Sequence, residues 1–160
     1  MKTYTVTVRA LCEFAAKQGD LDLRFTPSPT SQQGIAGHQS VASSRSASYR
    51  REVTVSGVYR HLIVRGRADG YDPELNLLEE IKTFKGNLEQ MPANHRHLHW
   101  AQVKVYGALM CREFDLSGLT VSLVYFDIGK QQEAPALLQQ CTASELQAFF
   151  EALCKRFVAW

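Results

Sequence analysis

Two short motifs on neighbouring predicted strands carry side chains that could perform chemistry together. Gly66-Arg-Ala-Asp69 ends one strand, and Glu80-Ile-Lys82 lies on the next. Residues two apart on a strand share a face, so Glu80 and Lys82 point the same way while Ile81 points into the core. The intervening turn can bring Asp69 beside Glu80. The pattern predicts a site with two carboxylates and one lysine.

Such a carboxylate pair favours a bound cation. Two adjacent carboxylates repel, and one of them tends to take a proton near neutral pH. A divalent cation removes this conflict and can act as a Lewis acid on a phosphodiester. Lys82 can then position or polarise the attacking water and neutralise charge in the transition state. His38, on a predicted helix, offers an imidazole as a further ligand and shifts the preference from Mg²⁺ toward Mn²⁺.

A later predicted helix adds two more candidate site residues. Gln102 and Tyr106 are four residues apart and share one helical face. Gln102 can orient Lys82 or a phosphate, and Tyr106 can stack or donate a hydrogen bond. Each motif alone is common, since Glu-x-Lys is usually a charge pair and Gly-x-x-Asp is usually a turn. Their order on these elements is what favours a catalytic site.

The elements that must position these residues follow from periodicity and from helix caps. Thr30 to Gln33 and Thr142 to Glu145 have the form of capping boxes, and turns are expected at Gly57 and at 70–74. Helices are predicted at 5–18, 30–46, 92–112 and from 142 onward, and strands at 52–56, 59–66, 77–82 and 119–128. The order is α-α-βββ-α-β-α, which is a mixed α/β domain with an antiparallel meander.

The composition is that of an ordinary globular domain. The chain has 160 residues, of which 45% are hydrophobic and 21% charged, with a formal net charge of +2. This length suits one domain. No apolar run is long enough for a membrane helix, and no secretory signal precedes the first strand or helix. We therefore expect one soluble cytoplasmic domain with no membrane partner.

Basic residues are concentrated in one stretch. Between Ser44 and Arg67 there are six arginines and only one acidic residue, Glu52. Such a stretch is either a solvated face or a phosphate-binding patch, because clustered guanidinium groups bind phosphate well. We expect DNA contacts from Arg45, Arg50, Arg51, Arg65 and Arg67, with Lys85 and Arg96 in addition.

Arg96 stands in a histidine-rich stretch with His95, His97 and His99. Residues two apart on a helix do not face one another, so a zinc site is disfavoured. A DNA-contacting loop and helix start is the preferred interpretation.

The motifs in their order resemble those of the PD-(D/E)XK nuclease superfamily, in its RecB-like branch. The residues that carry the resemblance are His38, Gly66 to Asp69, Glu80 to Lys82, and Gln102 to Tyr106. Ala68 stands where the superfamily's name has proline. Three segments, 19–30, 66–73 and 98–107, further resemble the N-terminal nuclease module of bacterial helicases related to XPD and DinG.

The resemblance implies a fold and an activity. The fold is a restriction-endonuclease-like core, with a central mixed sheet (the antiparallel meander plus a further strand) flanked by helices. The activity is metal-dependent hydrolysis of DNA, on single-stranded or free-ended substrates in repair or recombination, leaving a 5′-phosphate. The implied ligands of Mg²⁺ or Mn²⁺ are His38, Asp69, Glu80 and the Ile81 carbonyl, and Lys82 is the implied catalytic lysine.

The resemblance also implies a partner. A superfamily-2 helicase follows the nuclease module in those proteins, whereas this sequence contains no Gly-x-x-x-x-Gly-Lys-Ser/Thr loop. We expect residues 1–160 to be a single nuclease domain, excised from a longer helicase or acting alone. Two alternatives stay open: a nuclease-like DNA-binding module that loads a helicase with little cleavage of its own, and a dimeric structure-specific resolvase.

The cysteines do not match the iron–sulfur pattern of this branch. Several relatives hold a cluster with one cysteine before the histidine motif and three crowded together after the Gln-Tyr helix. Cys12 occupies the first place, but Cys111, Cys141 and Cys154 are 30 and 13 positions apart. This spacing argues against a cluster, and without a secretory signal we expect reduced cysteines.

Overall fold

The structure is a computed structural model that describes residues 2–16 and 28–159. Its strands are β1 Tyr4–Thr7, β2 Arg50–Tyr59, β3 Leu62–Asp72, β4 Leu77–Phe84, β5 Gly118–Asp127, β6 Gln132–Glu133 and β7 Leu137–Thr142. Its helices are α1 Val8–Ala15, α2 Ser31–Ser43, α3 Ala93–Glu113 and α4 Ala143–Val158, with one 3-10 turn at Leu88–Gln90. The predicted end of the first helix at Gly19-Asp20 lies outside the described residues.

The strands form one mixed sheet. β2, β3 and β4 make the predicted antiparallel meander. The later strand β5 runs parallel to β4, and β1 runs parallel to β3. β6 and β7 pair with β5 in antiparallel fashion. A central mixed sheet flanked by helices is the predicted fold class, and it is confirmed.

Helices cover both faces of the sheet. Successive residues of a strand point to opposite faces. On β4, Leu78 belongs to the large core formed with α1, α3 and α4, whereas Ile81 belongs to a smaller cluster with Val41 of α2. The centre of the sheet is therefore buried on both sides, which explains the nearly continuous apolar run of β5.

Local signals predicted several helix ends correctly. Thr30 and Gln33 form the predicted capping box at the start of α2, and Thr142 and Glu145 form the one before α4. α3 begins at Ala93, one residue after the predicted start at Pro92. Thr30 and Thr142 each accept a hydrogen bond from a backbone N–H that the first helical turn leaves unpaired, whereas Pro92 makes no side-chain capping hydrogen bond.

The first predicted helix began too early. Residues 4–7 pair with β3 as strand β1, and the Thr7 side chain then caps α1 by accepting a hydrogen bond from the Ala10 N–H. The Thr and Val residues of this segment favour a strand, which outweighs the helical spacing of the apolar residues after it. The short strands β6 and β7 were also missed.

Two predicted turns are strand residues. Gly57 pairs with Val64 inside the β2–β3 ladder, and the hairpin turns at Arg60, whose φ is 53°. A Cβ at Gly57 would lie 2.5 Å from Leu109 Cδ2, so this glycine lets α3 approach the sheet. β3 likewise takes in the first residues of the predicted turn at 70–74 and ends at Asp72, and the turn itself lies at 73–76.

No helix among the described residues is both long and apolar enough to span a bilayer.

Candidate active site

The Gly66–Asp69 motif lies in a gap of the sheet. One edge of β3 pairs with β1 at Leu62 to Arg65 and with β4 at Gly70 to Asp72. Among the described residues, no strand is registered with 66–69 on that edge. The gap exists because the chain leaves the sheet after Thr7 to begin α1. The polar side chains of this segment can therefore face a cleft and not a neighbouring strand.

Asp69 bridges the gap with its side chain. The β2–β3 register passes from Arg51 to Val53, and skips Glu52, whose φ of 52° is left-handed. Asp69 thus has no registered strand partner on either edge among the described residues. Its Oδ2 instead accepts a hydrogen bond from the Ile81 N–H at 2.7 Å. Because the acceptor is a carboxylate, this hydrogen bond is stronger than one between two neutral backbone groups.

Glu80 and Lys82 lie beside Asp69 on β4, as predicted. Lys82 Nζ is 3.7 Å from Glu80 Oε1. Glu80 is only 6% exposed, and its Oε2 has no hydrogen-bond partner among the described residues. Burial raises the pKa of Glu80 well above its ordinary range; the nearby Asp69 adds to this and Lys82 opposes it. A buried carboxylate in this state needs a proton or a cation.

His38 reaches the same place from α2. Its Nδ1 is 3.6 Å from Asp69 Oδ1. The preceding Gly37 permits this approach, because a Cβ there would overlap Thr83 Cγ2 of β4. α2 therefore lies directly on β4, with its histidine at the gap.

α3 closes the site from the other side. Gln102 is 4% exposed, and its Oε1 lacks a hydrogen-bond partner within the described part of the chain. Tyr106 lies over Gly66, where a Cβ would be 3.0 Å from Tyr106 Cε1. Burial, together with Glu80 and Asp69, raises the pKa of Tyr106 above its ordinary value. Its hydroxyl therefore stays protonated at neutral pH and can donate a hydrogen bond.

All the predicted metal-binding and catalytic residues line one cleft of about 620 Å³. These residues are His38, Asp69, Glu80, Ile81, Lys82, Gln102 and Tyr106. The sequence motifs do not include several other residues of the lining, among them Arg9, Ser31, Gln39 and Thr83. Arg9 has no motif around it, and only the placement of α1 by the missed strand β1 brings it to the cleft.

The chemistry of the donor set fits the predicted cation. Two carboxylates and an imidazole suit Mn²⁺, and oxygen ligands suit Mg²⁺. The orphan oxygen Glu80 Oε2 is the acceptor that such a cation would satisfy. Among the described residues, no three His, Cys, Asp or Glu side chains already form a group that could hold a metal ion. His38 and Asp69 are in contact, whereas Glu80 still pairs with Lys82.

Arg45 has different partners from the phosphate that its sequence position predicts. Its guanidinium donates to both oxygens of Glu79 and both oxygens of Glu133. These carboxylates raise the pKa of Arg45 above its ordinary value. In this arrangement the side chain faces protein carboxylates and not the cleft.

The other predicted arginines of this stretch are accessible. Arg50, Arg51, Arg65 and Arg67 are exposed, and Arg51 lines the cleft. Arg65 and Arg67 share one face of β3, opposite the face buried by Val64 and Ala68. Arg67 is 4.0 Å from Glu52, but both side chains are largely exposed, so this pair is weak.

The histidine-rich stretch lies at the start of α3, as predicted, and its contact with DNA stays a prediction. His95 is buried within α3, and His99 Nδ1 is hydrogen-bonded to the Tyr125 hydroxyl at 2.8 Å. Burial, with Lys82 nearby, lowers the pKa of His99 to about 2. Arg96 lies over the Tyr125 ring at 5.3 Å, and Lys85 is half-buried beyond the end of β4. His99 and Arg96 therefore pack against Tyr125, and the DNA contacts of Arg96 and Lys85 stay predictions.

All four cysteines are free and buried. Burial raises the pKa of Cys154 to about 12, and it also raises the pKa of Cys12, which lies near Glu80. These thiols therefore stay protonated and unreactive at neutral pH.

Comparison with known proteins finds similarity at the level of structure. No protein-family model matches the sequence, and no curated protein is significantly similar to it. The crystal structure of SSO0001 superimposes with a TM-score of 0.60 at 17% identity, over 99% of this chain and 78% of that one. A phage related exonuclease from Haemophilus somnus 129PT gives 0.53 at 10% identity, over 98% and 92%. The chain therefore shares the fold of these proteins.

Proposed function

We propose that this protein is a metal-dependent deoxyribonuclease that hydrolyses phosphodiester bonds. The observation that carries the proposal is the convergence of Asp69, Glu80 and Lys82 at a gap in the sheet, with His38, Gln102 and Tyr106 around them. A fold shared with a protein named as an exonuclease supports the same class.

The cation would be Mg²⁺ or Mn²⁺. Asp69, Glu80 and the Ile81 carbonyl would supply oxygen ligands, and His38 would supply a nitrogen. When bound, the cation would supply Lewis-acid activation of the scissile phosphate. Glu80 has the strongest requirement for it, because Glu80 Oε2 is buried without a hydrogen-bond partner among the described residues.

The side chains around Asp69 and Glu80 would position the reactants and stabilise the transition state. Lys82 would orient the attacking water and stabilise the negative charge that develops on the phosphate oxygens. Gln102 would orient Lys82 by accepting at Oε1, which has no hydrogen-bond partner among the described residues, or would donate from Nε2 to a phosphate oxygen. Tyr106 would donate from its protonated hydroxyl. Water attack of this kind would leave a 5′-phosphate and a 3′-hydroxyl.

The substrate would be single-stranded or free-ended DNA. Arg51 in the cleft, with Arg50, Arg65 and Arg67 exposed nearby, would contact the phosphate backbone. The resemblance to the RecB-like branch, and to nuclease modules of XPD- and DinG-related helicases, would place the activity in repair or recombination beside a superfamily-2 helicase.

One observation favours a second candidate function. Arg51 lines the cleft and Arg50, Arg65 and Arg67 are exposed, and these side chains would bind DNA whether or not it is cut. Without cleavage the protein would be a nuclease-like DNA-binding module that loads a helicase. The lysine and both carboxylates would then serve no chemical purpose at the cleft.

One experiment separates the two functions. End-labelled single- and double-stranded DNA is incubated with Mn²⁺, Mg²⁺ or EDTA and the wild type, Lys82→Ala, Glu80→Ala or the exposed control Lys155→Ala. Cleavage that needs the metal, and that both site variants lose while the control keeps it, supports the nuclease. Equal cleavage by wild type and site variants means contamination and overturns the enzyme. Binding without any cleavage identifies the module.

A further inference from the structure

A partly buried ion-pair cluster, centred on the buried Glu79, lies at the edge of the gap that holds Asp69. We infer that Arg45, Glu79 and Tyr49 are positioning residues, which keep β3 and β4 apart beside Asp69 and Glu80. The inference rests on the proposed function, because it assigns these residues a role in building the proposed site. They do not line the cleft themselves.

Glu79 is the centre of the cluster and is fully satisfied. Arg45 Nε and Nη2 donate to its two oxygens, each at 2.9 Å, and the Tyr49 hydroxyl donates to Oε1 at 2.8 Å. Glu79 is only 4% exposed. The next residue, Glu80, is equally buried but keeps an oxygen without a hydrogen-bond partner among the described residues. The two neighbouring carboxylates therefore differ. Both oxygens of Glu79 accept hydrogen bonds from protein donors, whereas one oxygen of Glu80 is available to another ligand.

Arg45 also joins separate parts of the chain. It follows the end of α2, and its guanidinium donates to Glu133 of β6 at 2.8 and 2.9 Å as well as to Glu79 of β4. Bidentate arginine–carboxylate pairs fix direction as well as distance. The desolvation cost of a buried pair offsets much of its attraction, so geometric control is a better account of this cluster than stability alone.

The cluster acts at the position where the two strands part. Gly70 and Glu79 are the registered β3–β4 pair nearest the gap. Tyr49 lies so close over Gly70 that a Cβ there would overlap its hydroxyl. One further step of the same register would pair Asp69 with Glu80. Such pairing would give the Ile81 N–H a backbone partner in place of the Asp69 carboxylate and would close the gap between the strands.

The same arginine holds the helix that carries His38. Arg45 follows His38 by seven residues, about two helical turns. Anchoring the end of α2 to Glu79 therefore also sets the 3.6 Å contact of His38 with Asp69. Three of the proposed metal ligands, His38, Asp69 and Glu80, thus depend on one cluster that does not line the cleft.

The first measurement is amide hydrogen exchange, which needs no activity. The variants are Arg45→Met, Glu79→Gln and Tyr49→Phe, with Arg112→Met as the control, since Arg112 donates only to Val58 O, on β2, in the described contacts. We expect the Ile81 amide to lose about tenfold of its protection in the cluster variants, while Leu123 on β5 changes by less than about twofold. The control should leave both amides unchanged.

The second measurement is cleavage against Mn²⁺ concentration. A displaced ligand set should raise the half-saturating Mn²⁺ concentration about tenfold, with partial recovery of the rate at saturation. Glu79→Gln should lose less than Arg45→Met, because glutamine still accepts from Arg45 and Tyr49. If a cluster variant cleaves more slowly only because it binds DNA more weakly, its half-saturating Mn²⁺ concentration will be unchanged. That result would overturn the inference.

The outcomes separate the two proposals. Unchanged Ile81 protection in folded Arg45→Met, or equal loss at Ile81 and Leu123, would reduce the cluster to a general stabilising role and overturn the inference. If Arg45→Met does not fold, Tyr49→Phe, which removes one hydrogen bond, decides by the same criteria. A wild type without cleavage would refute the proposed function, while the exchange result at Ile81 would still decide the positioning role.

Discussion

The carboxylate of Asp69 accepts a hydrogen bond from the Ile81 N–H at 2.7 Å and replaces a missing rung between β3 and β4. In a regular sheet, a backbone carbonyl would meet that N–H and the side chain would point away. Here the strands separate, and a side chain closes the gap at one point. The arrangement places one oxygen of Asp69 on the backbone of β4 and its other oxygen near His38.

Substitution of Asp69 should separate structure from chemistry. Asp69→Asn keeps an acceptor for the Ile81 N–H but loses the charge. We expect its free energy of unfolding to stay within about 1 kcal/mol of wild type, with cleavage reduced at least about 100-fold. Asp69→Ala leaves a buried N–H unpaired and should lose about 1–3 kcal/mol as well. Urea unfolding measures the free energy, and an end-labelled cleavage assay measures the activity. An Asp69→Asn variant that is stable and fully active would contradict a catalytic role for the Asp69 carboxylate.

Glu80 should be unfavourable for stability and necessary for activity. Its pKa is raised in the folded state, so the folded protein binds the proton more tightly than the unfolded chain does. Wild-type stability should therefore fall as pH rises from the ordinary carboxyl range through the raised pKa. Glu80→Met removes this dependence and should gain about 1–3 kcal/mol near neutral pH while abolishing cleavage.

Urea unfolding in EDTA at several pH values between about 5 and 8 tests this. The free-energy difference between Glu80→Met and wild type should widen as pH rises. Glu151→Met, at an exposed position of α4, is the matched control and should show no such widening. A free-energy difference that is constant with pH, or a less stable Glu80→Met, would show that the Glu80 carboxylate does not destabilise the folded protein at neutral pH.

Local rules were sufficient for the parts of the site that lie within single elements. Strand alternation predicted that Glu80 and Lys82 share a face, and the structure places Lys82 Nζ 3.7 Å from Glu80 Oε1. Helical spacing predicted that Gln102 and Tyr106 line the same cleft, and they do. In such cases the geometry is set by covalent neighbours, so the sequence is enough.

Long-range contacts were not predictable in this way. The gap depends on β1, a four-residue strand whose partner is β3, far along the chain. Arg45 and Glu79 are 34 residues apart, and no local pattern distinguishes Arg45 from Arg51, although one binds carboxylates and the other lines the cleft. The hydrogen bond of His99 with Tyr125 is a further contact that the sequence of the histidine-rich stretch does not show.

The glycine beside His38 should be sensitive to a single added methyl group. A Cβ at Gly37 would overlap Thr83 Cγ2 and contact Phe126 at 3.2 Å, so Gly37→Ala should push α2 from β4. We expect a loss of about 1–3 kcal/mol, although alanine in a helix interior is favoured over glycine by about 1 kcal/mol. Thermal unfolding measures the change, and cleavage should fall with it as His38 moves from Asp69.

Two further variants test that explanation. Thr83→Ser removes the overlapping Cγ2, so the double variant Gly37→Ala/Thr83→Ser should recover stability relative to Gly37→Ala. Gly34→Ala is the matched control on the same helix, because its Cβ would make only an ordinary contact with Thr83 Oγ1 at 3.7 Å. It should gain about 0.5–1 kcal/mol from helix propensity. Failure of Thr83→Ser to rescue would show that Thr83 is not the obstacle.

The arginines of the 44–67 stretch should divide into two functional groups. Arg51 and Arg67 are exposed, so Arg51→Gln and Arg67→Gln should each weaken single-stranded DNA binding about 3- to 10-fold at low salt. Each should also reduce the slope of log affinity against log salt by about 0.7, because one fewer phosphate is neutralised. Arg45→Gln should leave the salt slope unchanged, since the Arg45 donors are bound to Glu79 and Glu133.

Fluorescence anisotropy over a salt series measures the DNA affinity of all three variants. Arg156→Gln is a remote control, because Arg156 donates to Ala15 O in the wild type. An Arg45 variant with a reduced salt slope would instead mean that the ion-pair cluster opens to bind DNA, as the sequence position alone predicted.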